Sequence, residues 1–280
     1  QELSLDMDGF EECMEVQREL SRSVAAFAEI SDAYKSLSAA GVMPEFVGYD
    51  KISCDSKVLV LVENGQETRE AAVGQTVEVV AEVTPFYGEA GGQVGDTGKI
   101  TGDDLDMEVL DTIKDPTGLI IHKGKIISGH IEKGETVTLT VDKSKRDATA
   151  CNHTATHILH AALRKVLGDH VKQAGSMVGP DRLRFDFSHY EPVTAEQLAE
   201  IEDLVNDEIR KNTPAQTDHM TYDDAIASGA MALFGEKYGD KVRVLRLGDF
   251  SVELCGGTHV DRTGDIGVFR ITHETGIASG

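Results

Sequence analysis

The stretch His153-Thr154-Ala155-Thr156-His157-Ile158-Leu159-His160-Ala161-Ala162-Leu163 reads as helix and carries histidines four residues apart. Side chains at i and i+4 lie on one helical face, so His153 and His157 can reach one ion. Far downstream, Cys255-Gly256-Gly257-Thr258-His259 follows a strand-like run. Its two glycines let the backbone turn tightly and bring Cys255 and His259 to one side. Neutral imidazole and cysteine thiolate suit Zn²⁺ in a tetrahedron at roughly 2.0–2.3 Å. The two clips therefore predict one zinc ion held by His153, His157, Cys255 and His259. A zinc finger is excluded, because the helical pair comes first and the gap between clips is far too long. A zincin is excluded too, because Thr154 stands where that motif has its glutamate base. The histidine pair alone is weak, since polar helix histidines are common. The Cys-Gly-Gly-Thr-His stretch makes the pattern specific.

Working outward, the helical run spans from Arg146 to a stop at Gly168. Lys172–Val178 and Arg182–Phe187 read as strands joined by a turn at Gly179-Pro180-Asp181. Thr194 with Gln197 forms a capping box and opens a helix to about Lys211, which Pro214 bars from continuing. Asp223–Ser228 reads as a short helix. Lys241–Leu247, Phe250–Leu254 and Ile266–Thr272 read as strands, the second of which delivers Cys255. Helices and mostly antiparallel strands mixed in this way predict an α+β domain over 146–280.

Before it, the pattern differs. Lys57–Glu63, Thr76–Val83, Asp106–Lys114 and Thr136–Asp142 are rich in Val, Leu and Thr, with turn signals between them. They predict a small β-barrel over 46–145. Within it, Thr84-Pro85-Phe86-Tyr87-Gly88-Glu89-Ala90-Gly91-Gly92-Gln93-Val94-Gly95-Asp96-Thr97-Gly98 is a glycine-rich loop. Such a loop lets a ligand or another backbone come close, or simply connects a hairpin. Both readings stay open on the residues alone. Residues 6–40 show apolar positions at three- to four-residue steps, which predicts a helical linker over 1–45, ended by Gly41 and Pro44.

Composition bounds the function. The 280 residues carry a formal net charge of −22, with 40% hydrophobic and 27% charged residues. That is ordinary for a globular protein, and its length suggests two domains, or one with an appendage. No run is long and apolar enough for a membrane helix, and the start lacks a signal-peptide pattern. The four cysteines, Cys13, Cys54, Cys151 and Cys255, have no disulfide-framework spacing, which favours a reducing compartment. The acidity argues against broad nucleic-acid binding, so a polyanionic partner must meet a local basic patch or be held with help from other parts of a longer protein. Lys143–Arg146 is the best candidate. Both termini read as cuts in a longer protein.

These residues resemble the editing domain of the alanyl-tRNA synthetase family. The resemblance rests on HTATHILHAAL (His153–Leu163) with ELCGGTHV (Glu253–Val260). It extends to QAGSMV (Gln173–Val178), RLRFDFSH (Arg182–His189), GAMALFGEKYGDKVRV (Gly229–Val244), RTGDIGVFRI (Arg262–Ile271) and the glycine-rich stretch. It covers nearly all of the chain, weakly over the first 40 residues. It implies an aminoacyl-tRNA hydrolase that removes serine and glycine from mischarged tRNA(Ala), with Zn²⁺ as cofactor. It also implies a cytoplasmic protein that receives the tRNA acceptor end. The aminoacylation domain would precede Gln1 and a C-terminal domain would follow Gly280. Position by position, His153, His157, Cys255 and His259 match the zinc set. Gln173 matches a residue that shapes amino-acid choice, and Gly91-Gly92 match a loop that helps the site. The related alternatives are a free-standing deacylase and the domain of threonyl-tRNA synthetase. The alternative of another class is a structural zinc module that binds RNA.

The chemistry such a site needs is a sieve. A pocket that hydrogen-bonds a substrate hydroxyl rejects the analogue lacking it by roughly 10⁴–10⁵, because its buried polar groups are otherwise unpaired. Gln173, supported by Thr154 or Thr156, is the candidate sensor of the serine hydroxyl. Glycine has none, and this account does not explain its removal. Four protein ligands make a closed, structural site. A catalytic role needs a position opened by loss of a ligand or expansion to five, so Cys255 counts with the catalytic set. His160 shares the helical face and either meets substrate or packs. Cys151 reads as core. His122, His130, His170, His189, His219 and His273 read as surface or strand residues, and Arg182 and Arg184 as a solvated strand face.

Overall fold

A computed structural model describes residues 32–231 and 240–276. Most of the expected N-terminal helix lies outside these residues. Its described end is α1 (Asp32–Ala39). Six strands build a barrel: β1 (Ser53–Glu63), β2 (Thr76–Ala81), β3 (Gly98–Thr101), β4 (Asp106–Lys114), β5 (Ile120–Ser128) and β6 (Thr136–Val141). Their order is β6-β3-β4-β5-β2-β1, closed by pairing of β6 with β1, and every pair is antiparallel. Alternation along the strands divides the side chains. Val58, Leu61, Val77, Val79, Ile100, Met107, Ile126 and Leu139 fill one buried cluster. Val60, Val62 and Val80 point the other way and pack with Tyr34 of α1, Leu119 and Ile121.

Two barrel strands have no counterpart in the sequence reading. In β5, Gly124 and two lysines interrupt the apolar pattern. A Cβ on Gly124 would lie 2.2 Å from the Glu108 carbonyl oxygen, so close packing against β4 demands glycine there. Strand β3 is the short tail of the glycine-rich loop. Strand β1 begins at Ser53 rather than Lys57, because β6 pairs with its polar first half.

The second half is α+β. Helix α2 (Lys143–Leu167) starts earlier than Arg146, since Asp142 caps it by accepting the Lys145 N–H, and Gly168 ends it. Strands β7 (Lys172–Val178) and β8 (Leu183–Ser188) form a hairpin with a register shift between Gln173 and Gly175. Helix α3 (Ala195–Arg210) opens with the Thr194/Gln197 capping box and buries Ile201, Val205 and Ile209 against α2. Strands β9 (Ala215–Thr221), β10 (Lys241–Leu247) and β11 (Ser251–Leu254) form an antiparallel sheet covered by α4 (Tyr222–Ala227). Strand β9 is mostly exposed and so carries no apolar alternation.

The strand expected over Ile266–Thr272 is absent. Thr263–Ile266 is a 3₁₀ turn, and the following backbone is held by side chains of α3. Asn206 accepts the Phe269 N–H and donates to the Phe269 carbonyl, both at 2.9 Å, and Glu202 accepts the Ile271 N–H at 2.8 Å. Ile266, Phe269 and Ile271 pack on the α2–α3 core instead, and Val268 is exposed.

Candidate metal centre

Helix α2 presents His153, His157 and His160 along one face, and all three are buried. Strand β11 places Glu253 two residues before Cys255, hence on the same face. The chain then turns through Gly256 and Gly257. A Cβ on Gly257 would sit 2.1 Å from His153 Cε1, whereas Gly256 faces open space. Arg243 of β10 donates to the carbonyls of Cys255 and Gly257 at 3.0 and 2.9 Å. Tyr49, under the Arg243 guanidinium, donates to the Gly256 carbonyl at 2.6 Å. Three successive carbonyls of the turn are thus held by two side chains.

One ligand atom each from His153, His157, Cys255 and His259 lies within 4.8 Å of all the others. The Cys255 Sγ is 3.5 Å from His153 Nε2 and 3.2 Å from His259 Nε2. The far nitrogen of each ring is anchored. His153 Nδ1 meets Gln93 Oε1 at 2.7 Å, His157 Nδ1 meets Glu253 Oε2 at 2.7 Å, and His259 Nδ1 meets Thr154 Oγ1 at 3.2 Å. Proton accounting assigns the tautomers. Gln93 Oε1 and the Glu253 carboxylate can only accept. Thr154 spends its hydroxyl proton on the Ala150 carbonyl at 2.8 Å, so it accepts from His259 and from the Val260 N–H. Each ring then carries a proton on Nδ1 and points Nε2 inward. His157 Nε2 is buried with no hydrogen-bond partner among the described residues. A metal ion would satisfy it, and rings anchored at Nδ1 are the usual arrangement of metal-binding histidines.

Burial alone would raise the Cys255 thiol, but His153, His259 and His157 around it hold it well below the ordinary thiol range. Burial opposes a charged Glu253 as well, yet His157 and His160 pull it down to about 2. Burial disfavours a charged His157, but Glu253 and then Cys255 raise it to about 10. Burial dominates at His259 and lowers it to about 3. Glu253 and Cys255 thus hold His157 charged while no metal is bound, and an ion that displaced its Nε2 proton would meet a thiolate and imidazole lone pairs, the donor set a soft divalent metal takes. His153 and His157 are fully covered, while Cys255 and His259 are half-exposed, so the cluster is open on the side of the second clip.

Other expected residues are placed as follows. Thr156 donates to the carbonyl of Asn152 in its own helix and does not touch the cluster. His160 is held by Glu253 at 3.0 Å and packs on Phe185, and its Nε2 has no hydrogen-bond partner among the described residues. Gln173 is half-buried opposite Phe187 in the β7–β8 hairpin and makes no hydrogen bond to the cluster. Gly91 and Gly92, with φ of 58° and 82°, form the tight turn between Ala90 and Gln93. Its next residue, Val94, pairs with Val178 of β7. The basic run at Lys143 is already engaged. Lys143 pairs with Asp147, Lys145 donates to Thr97, and buried Arg146 pairs with Asp96. Cys151 is half-exposed rather than core, directed at the Asp265 carbonyl. His122 is fully buried inside the barrel wall, and His170 hydrogen-bonds His189 at 2.8 Å.

The sequence reading missed Gln93, Glu253, Tyr49 and Arg243. Glu253 was open to detection, as a carboxylate at i−2 from Cys255 in an otherwise apolar strand. Gln93, Tyr49 and Arg243 reach the site only through tertiary contacts.

Residues 1–145, more than half of the chain, match the family of class II (A) tRNA synthetases. Residues 242–280 match the second additional domain of threonyl and alanyl tRNA synthetases. The alanine–tRNA ligase of Desulfosudis oleivorans is 54% identical over 278 residues, that of Methylococcus capsulatus 52% over 278, and alanine–tRNA ligase 1 of Lachnoclostridium phytofermentans 51% over 281. Each match covers 99% of this chain and 32% of the relative, so the chain spans about a third of their length. On these matches and the residues just described, the chain belongs to the alanyl-tRNA synthetase family.

Proposed function

We propose that this chain carries the editing site of an alanyl-tRNA synthetase, hydrolysing the ester of Ser-tRNA(Ala) and Gly-tRNA(Ala) with one Zn²⁺ at His153, His157, Cys255 and His259. The observation that carries this reading is the three imidazoles, each fixed at Nδ1, with Nε2 converging on the Cys255 sulfur. Bound zinc would supply a fixed positive charge that orients or polarises the ester.

The chain's own groups do the rest. Glu253, Gln93 and Thr154 lock the rings, so that no reorganisation is needed when substrate arrives. The half-exposed side at Cys255 and His259 receives the tRNA acceptor end. Buried α2 and β11 exclude water from the opposite side. Gln173, at the irregular start of β7, reads the serine hydroxyl, and Gly91-Gly92 set the loop that closes the site from the barrel. Thr154 acts through His259 rather than on substrate. His160 and Thr156 bound the pocket along α2. The aminoacylation and C-terminal domains of the relatives are expected partners in the whole protein, in the cytoplasm. Among the described residues no helix is long and apolar enough to cross a membrane.

Deacylation of Ser-tRNA(Ala) and Ala-tRNA(Ala) by the purified chain tests the reading. The serine ester is cleaved and the alanine ester spared, Cys255→Ala abolishes cleavage, and Gln173→His narrows the difference between the two. Full activity of Cys255→Ala with metal lost would refute the zinc mechanism, and unchanged selectivity of Gln173→His would remove Gln173 from its role.

A further inference from the structure

We infer that Gln93, delivered by the glycine-rich loop of the barrel, is a positioning residue of the metal centre, so that metal affinity depends on the barrel as well as on the domain that supplies the ligands. This rests on the metal site proposed above. Gln93 is fully buried, and each polar atom of its side chain is used. Oε1 accepts from His153 Nδ1 at 2.7 Å and from the Thr258 N–H at 3.0 Å, and Nε2 donates to Thr258 Oγ1 at 2.9 Å. One amide therefore touches both clips: a ligand of the first, and the residue just before His259 in the second. The Thr258 N–H can only donate, so its bond fixes Oε1 as the atom that faces His153. With Oε1 there, His153 must carry its proton on Nδ1, and its Nε2 is left free for the metal.

The loop is built to hold Gln93 still. Gly91 and Gly92 take positive φ, which suits the two-residue turn closed by Ala90 and Gln93 in both directions. A Cβ on Gly92 would lie 2.4 Å from Ser176 Oγ, so the turn lies directly on β7. Val178 then bonds Gly92 and Val94 through its backbone at 2.8 and 3.0 Å. Three residues after Gln93, Asp96 is bound by buried Arg146 of α2. Gln93 is thus pinned on both sides to the domain that carries the ligands. Outer partners that fix a ligand histidine typically contribute 10–100-fold in metal affinity.

The test is zinc affinity of the whole chain, measured by competition with a chromogenic chelator, alongside the cobalt(II) absorption spectrum. Gln93→Leu removes every acceptor, and should weaken zinc 10–100-fold and alter the cobalt bands. Gln93→Glu keeps an acceptor for both His153 and Thr258, and should hold most of the affinity and the wild-type spectrum. Thermal melting in excess chelator checks that both variants fold. If Gln93→Leu does not fold, Gln93→Glu and nitrogen NMR of His153 in the wild type decide, since the inference requires the proton on Nδ1. Wild-type affinity in Gln93→Leu, loss of affinity in Gln93→Glu equal to that of Gln93→Leu, or a proton on His153 Nε2 would each overturn the role of Gln93 with the metal site intact. Failure of the wild type to bind zinc would instead overturn the site itself.

Discussion

Arg146 offers the most decisive substitution, because its charge serves either the fold or the tRNA. Its guanidinium is buried. Nε reaches both Asp96 oxygens at 2.9 and 3.0 Å, Nη1 the Gly48 carbonyl at 2.7 Å, and Nη2 both Asp96 and the Pro85 carbonyl. Three segments of the barrel half are therefore tied to the first turns of α2 through one side chain. Arg146→Met keeps the aliphatic stem and removes the charge. Asp96 then retains only the Tyr87 N–H, at 2.6 Å, from its strong donors, and two carbonyls lose theirs. Breaking a buried pair by removing one partner costs about 3–5 kcal/mol. At about 2–4 °C per kcal/mol for units of this size, the main thermal transition should fall by about 6–20 °C. Pairing the change with Asp96→Asn removes the stranded charge, so the double variant should lose less than the two single variants added together. Calorimetry on the four proteins of the cycle reads both quantities. A transition within about 1 kcal/mol of wild type for Arg146→Met, or strict additivity in the cycle, would refute the clamp. Unchanged stability with weakened tRNA binding would return Arg146 to the role of a phosphate contact.

Two further outcomes follow from single contacts. Gly257→Ala sets a methyl group 2.1 Å from His153 Cε1 and 2.8 Å from Gln93 Oε1. Zinc affinity should drop by at least the 10–100-fold of a lost outer partner, while Gly256→Ala, facing open space, should bind zinc like wild type; equal affinities in the two variants would show that the close approach is not needed. In the barrel, burial lowers His122 to about 4 against the weaker opposing bond to the Val79 carbonyl. The unfolded chain takes up that proton as pH falls below about 6.5 and the folded one does not. Stability is therefore complete above pH 6.5 and should decline by up to about 3 kcal/mol on the way to pH 4. Denaturant titrations between pH 7 and 4.5 should show that slope in the wild type and a shallower one in His122→Asn. Equal slopes would mean that His122 does not sense the acid.

What the sequence displays and what it hides divide along a physical line. His153, His157, Cys255 and His259 are legible because each clip is local: helical pitch sets one pair, and a glycine turn sets the other. The capping box at Thr194 and the stop at Gly168 are legible for the same reason. Strand β9 is hidden because it is an exposed edge, and β5 because Gly124 answers to the Glu108 carbonyl on a neighbouring strand rather than to its own alternation. The misread strand at Ile266–Thr272 has suitable residues, but its hydrogen bonds are taken by Asn206 and Glu202 of α3, and no local pattern announces that. The basic run at Lys143 divides: Lys143 and Lys145 stay exposed on the first turn that Asp142 caps, while Arg146 is buried against Asp96, which no local pattern announces. The groups that anchor the candidate ligands lie further beyond local reading. Gln93 is 60 residues from His153 and 165 from Thr258 along the chain, and only closure of the barrel brings its loop to α2. Ligand identity is therefore written within single elements. The orientation of His157 and His259 is set within the same half, by Glu253 and Thr154, whereas that of His153 is written in the docking of two halves.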